Sequence, residues 1–339
     1  MRKIIIFSLL SLVLGILLGI LVQREFLSKP TSNKIIQKIV DRSLDKYTID
    51  NLTKADVKSV QITKERIVKD NPNFTSSLFS YNFDPSLSGA KEKKVTGIVN
   101  IPKAENKFPV ILMVRGYVDP EEYTSGEGTQ RAAEVFANNG FITIAPDFLG
   151  YGESDKEPDN VFEARFQTYT TVLTLLKSIQ NISEWDGENI FLWGHSNGGQ
   201  IVLTVLEITQ GEYPTVLWAP VSMPFPYSIL YYTNEADDLG KNLRKKLADF
   251  ESAYDVNLYS FTNYLDRIKA PIELEQGTSD EAVPVAWSNA LSKKLKDLFT
   301  QTENKIDITY FIYPGADHNL MPSWNIVVGR NIAFFDKHL

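Results

Sequence analysis

Residues 189–206, NIFLWGHSNGGQIVLTVL, decide the fold. Asn189–Trp193 reads as a buried strand, Gly194-His195-Ser196-Asn197-Gly198 fits Gly-x-Ser-x-Gly, and Gly198–Ile208 has the spacing of a buried helix. The bare five-residue pattern says little. Between a strand and a helix it specifies a sharp turn that projects the serine above a sheet. The serine backbone in such a turn is strained, so the residues two before and two after must be small, and Gly194 and Gly198 meet that need. Gly199 allows close helix–strand packing. The turn also aims the free N–H groups of a helix N-terminus at any negative charge that develops beside Ser196.

The same alternation extends outward. Ser77–Phe83 and Val95–Ile101 read as strands, and Phe108–Val114 (FPVILMV) is the nearly continuous apolar run of a strand buried on both faces. There follow a helix near Gln130–Asn139, a strand Phe141–Ala145, a helix near Phe162–Ile179 and, beyond the turn, a strand Val216–Ala219. The series closes with a strand Ile272–Gln276, a helix Pro284–Leu298, a strand Ile306–Tyr313 and a helix from Ser323 to Phe335. Strands alternating with helices predict an α/β fold with a mostly parallel central sheet covered by helices on both faces. Residues 221–268 interrupt it with a helical, aromatic insert: Phe225, Tyr227, Tyr231, Tyr232, Phe250, Tyr254, Tyr259, Phe261 and Tyr264. The insert is expected to form a small lid, with most rings in its own core and a few lining a pocket.

A serine hydroxyl needs a base to act as a nucleophile. The chain has three histidines. His195 adjoins Ser196 on the turn and is expected to point into neighbouring packing, and His338 is the penultimate residue. His318, in Pro314-Gly315-Ala316-Asp317-His318-Asn319 just after a strand, is the candidate base. The base needs a carboxylate to orient it. Asp280, in Gly277-Thr278-Ser279-Asp280-Glu281 at another strand's end, is preferred over Glu281 and Asp317. Backbone N–H groups of Asn197, after the serine, and Tyr117, after FPVILMV, are the expected oxyanion donors. Arg115, in the same loop, is expected to be salt-bridged there rather than to bind an anion.

The 339 residues carry no cysteine, which excludes disulfides, thiolate metal sites and a cysteine nucleophile. No His-Glu-x-x-His or phosphate-binding Gly-x-x-x-x-Gly-Lys-Ser/Thr pattern occurs. Residues 1–70 hold 13 basic and 7 acidic side chains, and the rest hold 22 and 35. An acidic body argues against nucleic acid as a partner. Ile4–Val22 is a run of 19 residues without charge after Arg2 and Lys3. It is long enough to cross a bilayer and lacks a small-x-small cleavage site, so an uncleaved signal anchor is expected over a cleaved signal peptide. Residues 1–3 would be cytoplasmic and the body extracytoplasmic. Residues 23–73 read as a stalk in which Ile35, Ile36, Ile39, Val40 and Leu44 recur at helical spacing. The catalytic domain is then expected over 74–339.

VNIPKAENKFPVILMVRGY, APDFLGYGESD, WGHSNGG, QGTSDEAVP and GADHNL together resemble the α/β-hydrolases of the prolyl oligopeptidase group and the related dienelactone-hydrolase-like proteins. The resemblance spans residues 74–339. It implies an α/β-hydrolase fold, a serine nucleophile, an aspartate and a histidine in that chain order, and no cofactor, which maps onto Ser196, Asp280 and His318. The family usually has His-Gly where this chain has Arg115-Gly116. Residues 1–73 are too few for the family's β-propeller, which makes the hydrolase expectation firmer than the peptidase one. The expected activity is hydrolysis of a small ester or short peptide through an acyl-enzyme on Ser196, first as a peptidase, alternatively as a carboxylesterase. A non-catalytic binding module would be signalled by loss of one of the three residues, and none is lost.

Overall fold

The computed structural model describes residues 42–89, 91–300 and 306–339. Their strands are β1 (Thr63–Asp70), β2 (Phe74–Phe83), β3 (Lys93–Pro102), β4 (Phe108–Val114), β5 (Ile142–Pro146), β6 (Trp185–His195), β7 (Thr215–Trp218), β8 (Ile272–Gly277) and β9 (Ile308–Tyr313). They form one sheet in the order β1-β2-β3-β5-β4-β6-β7-β8-β9. β1, β2 and β3 run antiparallel, β3 pairs antiparallel with β5, and every pair from β5 and β4 to β9 is parallel. The chain therefore has the α/β-hydrolase fold with a mostly parallel sheet.

Alternation along the central strands explains the two-layer cover. Val110, Leu112 and Val114 of β4 join one apolar cluster, and Ile111 and Met113 join the other. The first cluster is completed by helices α3 (Val161–Ser178), α4 (Asn197–Thr209) and α7 (Val285–Thr300). The second is completed by α2 (Gln130–Asn138) and α8 (Trp324–Lys337). A strand wedged between two such layers has no polar face to show, so it reads as a continuous apolar run. The chain leaves β4 for β5 on one side, then crosses back to β6 on the other. The loops after β4 and β6 thus part at a topological switch point, where this class of sheet opens a crevice.

The stalk expected over 23–73 is corrected for its second half. A short helix, α1 (Ile49–Lys54), and a preceding turn bury Leu44, Tyr47, Ile49 and Leu52 in the first cluster. β1 then extends the sheet at its edge. The body therefore includes residues well before 74, from Leu44 onward. All eight residues of β1 (TKERIVKD) are exposed. Lys64, Arg66 and Lys69 pair with Glu184, Glu153 and Glu134. A charged edge strand resists pairing with other chains, and the same charges hide it from a search for apolar periodicity. Residues 1–41, with the expected anchor 4–22 and its flanks, lie outside the described residues. Among the described residues no helix is long and apolar enough to cross a membrane.

The insert over 221–268 contains two helices, α5 (Tyr227–Leu230) and α6 (Lys241–Ala253), with several single 3-10 turns. Phe225, Phe250, Tyr254, Tyr259 and Phe261 are buried with Phe162 and Phe166 of α3. Phe166 and Tyr259 stack at 4.9 Å. Tyr227, Tyr231 and Tyr232 surround Trp287 instead. The Tyr232 hydroxyl donates to the Ala282 carbonyl, beside Asp280.

Candidate active site

Ser196 stands between β6 and α4 with φ 56° and ψ −122°. A non-glycine residue holds such a backbone only where its surroundings over-determine it. The surroundings are tight. A Cβ at Gly198 would lie 2.0 Å from the Val114 carbonyl oxygen, and one at Gly194 would lie 2.8 Å from the Gly198 carbonyl oxygen. A Cβ at Gly199 would lie 2.6 Å from Pro220 Cβ, just after β7. The helix also packs closely on the strand, since a Cβ at Gly194 would lie 2.8 Å from Gly199 Cα. Ser196 N–H donates to the Trp218 carbonyl, and its own carbonyl accepts from Val221 and Gly199.

The loop after β4 closes on the serine. A Cβ at Gly116 would lie 2.9 Å from Ser196 Cβ and 3.5 Å from its Oγ. Asn197 is the first residue of α4, so its N–H has no partner inside the helix. A cavity of about 400 Å³ opens between these loops, lined by Gly116, Tyr117, Asn197, Phe148, Tyr151 and Ile201 among others.

His318 and Asp280 come from the loops after β9 and β8. A Cβ at Gly277 would lie 2.2 Å from the Ala316 carbonyl oxygen. Backbone bonds from Thr278 N–H to Tyr313 and from Ser279 N–H to Ala316 join the loops. This brings His318 Nδ1 to 2.9 Å from Asp280 Oδ2 and 3.1 Å from Oδ1. The aspartate side chain has no exposed surface and the histidine retains 22%. Asp280 Oδ1 accepts from the N–H groups of Ala282 and Val283, and Oδ2 accepts from Gln276 Nε2. Burial alone would raise the Asp280 pKa. The His318 bond and the Val283 N–H outweigh it and hold the carboxyl below its ordinary value. An ionised acceptor on Nδ1 leaves Nε2 of His318 as the free base nitrogen.

The rivals fall away for local reasons. Glu281 is exposed. Asp317 Oδ1 accepts the N–H groups of Asn319 and Met321 and so shapes its own turn. His338 donates Nδ1–H to the Phe334 carbonyl at the end of α8. His195 packs against Trp193 and Trp218 as expected, but it is also tied to the other loop. Its Nε2 lies 3.0 Å from the His318 carbonyl oxygen, which can only accept, and its ring sits 4.6 Å from the His318 ring. The serine turn and the histidine loop are thereby clasped together. Sequence reasoning missed this clasp. It also missed Gln276, whose amide bridges Asp280, Val283 and Ser288. Neither residue type carries a motif for such support.

Arg115 is corrected as well. Among the described residues it makes no salt bridge, and the carboxylate of Asp147, whose backbone carbonyl it reaches, accepts instead from Thr96, Tyr123 and Ser125. Its guanidinium is held instead between aromatic rings and carbonyl oxygens.

The family model of the prolyl oligopeptidase family matches residues 128–339. The chain belongs to the prolyl oligopeptidase family. It is a serine-type hydrolase of that family's peptidase and esterase kind. The uncharacterized peptidase YtmA of Bacillus subtilis (strain 168) is 25% identical over 250 residues, covering 72% of this chain and 89% of that protein. Acetyl esterase Axe7A of Xylanibacter ruminicola is 23% identical over 226 residues, 58% of this chain and 48% of its own length. An acetyl xylan esterase from Paenibacillus sp. R4 superposes with a TM-score of 0.59 at 16% identity, covering 87% of this chain and 95% of that one. Est1E from Butyrivibrio proteoclasticus, solved with ferulic acid, gives 0.52 at 19% identity, covering 72% and 95%. At these identities the two structures speak to fold alone.

Burial, with the neighbouring His318 adding to it, pushes the His195 pKa down to about 4 from an ordinary 6.5. Below pH 6.5 the unfolded chain therefore takes up a proton at this position that the folded chain refuses. Its contribution to stability is complete above pH 6.5 and is lost progressively as pH falls toward 4. In His195→Gln, the loss of unfolding free energy between pH 6.5 and 4 is expected to be smaller than in the parent, by roughly a few kcal/mol at the acid end, and Tm should fall correspondingly less. Thermal unfolding followed by circular dichroism across that range checks this.

Proposed function

We propose that Ser196, His318 and Asp280 form the catalytic triad of an acyl hydrolase acting on a short peptide or a small ester. The observation that carries this reading is the buried, fully hydrogen-bonded Asp280 on Nδ1 of His318, in a loop clasped by His195 to the strained turn that bears Ser196. His318 Nε2 takes the proton from Ser196 Oγ as that oxygen attacks the acyl carbonyl. The carbonyl oxygen becomes an oxyanion, received by the N–H groups of Asn197 and Tyr117. The imidazolium, stabilised by Asp280, returns the proton to the leaving amine or alcohol as the carbon–heteroatom bond breaks. Water then attacks the acyl-enzyme, giving its proton to His318. The collapsing intermediate expels Ser196 Oγ, which recovers the proton.

A peptide bond is the first substrate class, on the strength of the family. The ester reading is kept because a relative that matches 58% of this chain is named as an acetyl esterase. The cavity beside the oxyanion loop is lined by Phe148, Tyr151 and Ile201 together with Glu157, Arg165 and Gln167, so it suits a compact acyl group that carries a polar end. The apolar run 4–22 belongs to the same proposal, as a membrane anchor holding the body outside the cytoplasm. Removing residues 1–30 should then release the enzyme from the membrane fraction, and a full chain already found in the soluble fraction would overturn the anchor.

The activity is tested with an ester and an amide that share one acyl group. Ser196→Ala and His318→Ala are expected to lose roughly a millionfold in kcat, and Asp280→Asn about ten-thousandfold, without loss of fold. Turnover of the amide supports a peptidase. Turnover of the ester alone overturns that assignment and leaves an esterase, and full activity in Ser196→Ala overturns the triad.

A further inference from the structure

Arg115 stands directly after β4, only 4% exposed. Its guanidinium carbon lies 4.0 Å from the centre of the Tyr151 ring, 4.5 Å from Tyr123 and 5.5 Å from Phe148. Nη1 donates to the carbonyl of Gly116 at 2.8 Å and Nη2 to the carbonyl of Asp147 at 3.0 Å. A buried cation without a carboxylate is expensive to hold, and here ring faces and carbonyl dipoles carry its charge. Such an arrangement needs a reason beyond packing, and the Gly116 carbonyl supplies one.

That carbonyl and the N–H of Tyr117 belong to one peptide unit. The only cis bonds among the described residues precede Pro226 and Pro322, so this unit is trans. In a planar trans peptide the C=O and N–H point in opposite directions. Whatever fixes the carbonyl therefore fixes the N–H. Glycine at position 116, needed because the loop touches Ser196, leaves this peptide otherwise free to rotate. A cationic donor on the carbonyl does a second thing. It draws electron density through the amide and makes the N–H a stronger donor.

We propose that Arg115 is the positioning residue of the oxyanion hole: gripped between Tyr123 and Tyr151, its guanidinium holds the Gly116 carbonyl and thereby aims and polarises the Tyr117 N–H. This rests on the triad reading given above. The planar fork is essential to it, since only a guanidinium stacks on the rings while donating to two carbonyls. Lysine can donate to one of them but cannot bridge both.

The test uses the full chain with Arg115→Met, Arg115→Lys and, as a milder release of the clamp, Tyr151→Leu. Each is assayed on an ester and on its thionoester. Sulfur accepts N–H hydrogen bonds poorly, so the rate ratio of ester to thionoester reports how well the donors are aimed. Arg115→Met is expected to lose about tenfold to a hundredfold in kcat, less than deletion of a donor outright, with KM within about twofold. Its ester-to-thionoester ratio should fall, and the acid limb of its pH profile should stay where it is because His318 and Asp280 are untouched. Arg115→Lys should recover part of the loss, and Tyr151→Leu should fall between Arg115→Lys and the parent. If Arg115→Met fails to fold, Tyr151→Leu carries the same comparison. An unchanged ratio in an active, folded variant overturns the proposal and leaves the triad standing. A parent that neither turns over the ester nor labels with a fluorophosphonate overturns both.

Discussion

The structure depends on one close approach. The backbone of Gly198, at the start of α4, lies so near the Val114 and Arg115 carbonyl oxygens that no side chain fits between them. That contact pins the serine turn of one parallel strand against the end of its neighbour. It sets Ser196 at φ 56°, a conformation costing about 1–3 kcal/mol that nothing local would favour. The strain is held by the sheet: Ser196 bonds to β7 through Trp218, and Gly194 pairs with Leu217. A serine so held cannot relax away from the mouth of the crevice. Its position is fixed before any substrate arrives.

Around that point the site is built from pairs of loops tied to each other rather than to solvent. The aspartate loop and the histidine loop share backbone bonds at Thr278 and Ser279. The histidine loop is tied to the serine turn by His195, and the β4 loop is tied to the β5 loop by Arg115. The ties differ in charge for a physical reason. His195, buried beside His318, is kept neutral by its surroundings. Arg115 lies buried between Tyr123 and Tyr151 with its guanidinium on the Gly116 carbonyl, the other side of the peptide whose N–H is proposed to meet the oxyanion. Asp280 is kept ionised by the bonds it accepts. One fold thus places a neutral ring, a fixed cation and a fixed anion around one serine, each by burial and hydrogen bonding.

How much of this was legible in the sequence follows from how local each feature is. Strand β4 was recovered with its bounds intact because burial on both faces leaves an unbroken apolar run. The turn at Ser196 and the strand-end loops that carry Asp280 and His318 are readable because each sits beside an apolar strand. β1 is not, because TKERIVKD is an exposed edge whose charges erase the alternation that marks a strand. The buried helix at Ile49–Lys54 is too short to show a period. Arg115 could be flagged as unusual but not explained, since Asp147 and Tyr151 are distant in sequence and both of its acceptors are backbone carbonyls. The same holds for the hydrogen bonds of Gln276 and His195, which are properties of register and loop closure.

The central claim is that Ser196 acts in a preformed oxyanion hole. Its most direct test is a crystal structure of the covalent fluorophosphonate adduct. The account predicts phosphorus bonded to Ser196 Oγ and the phosphonyl oxygen about 2.7–3.1 Å from the backbone nitrogens of both Asn197 and Tyr117, with the Arg115–Gly116 bond intact. A phosphonyl group on another residue, or an oxygen turned away from these two N–H groups, would contradict it.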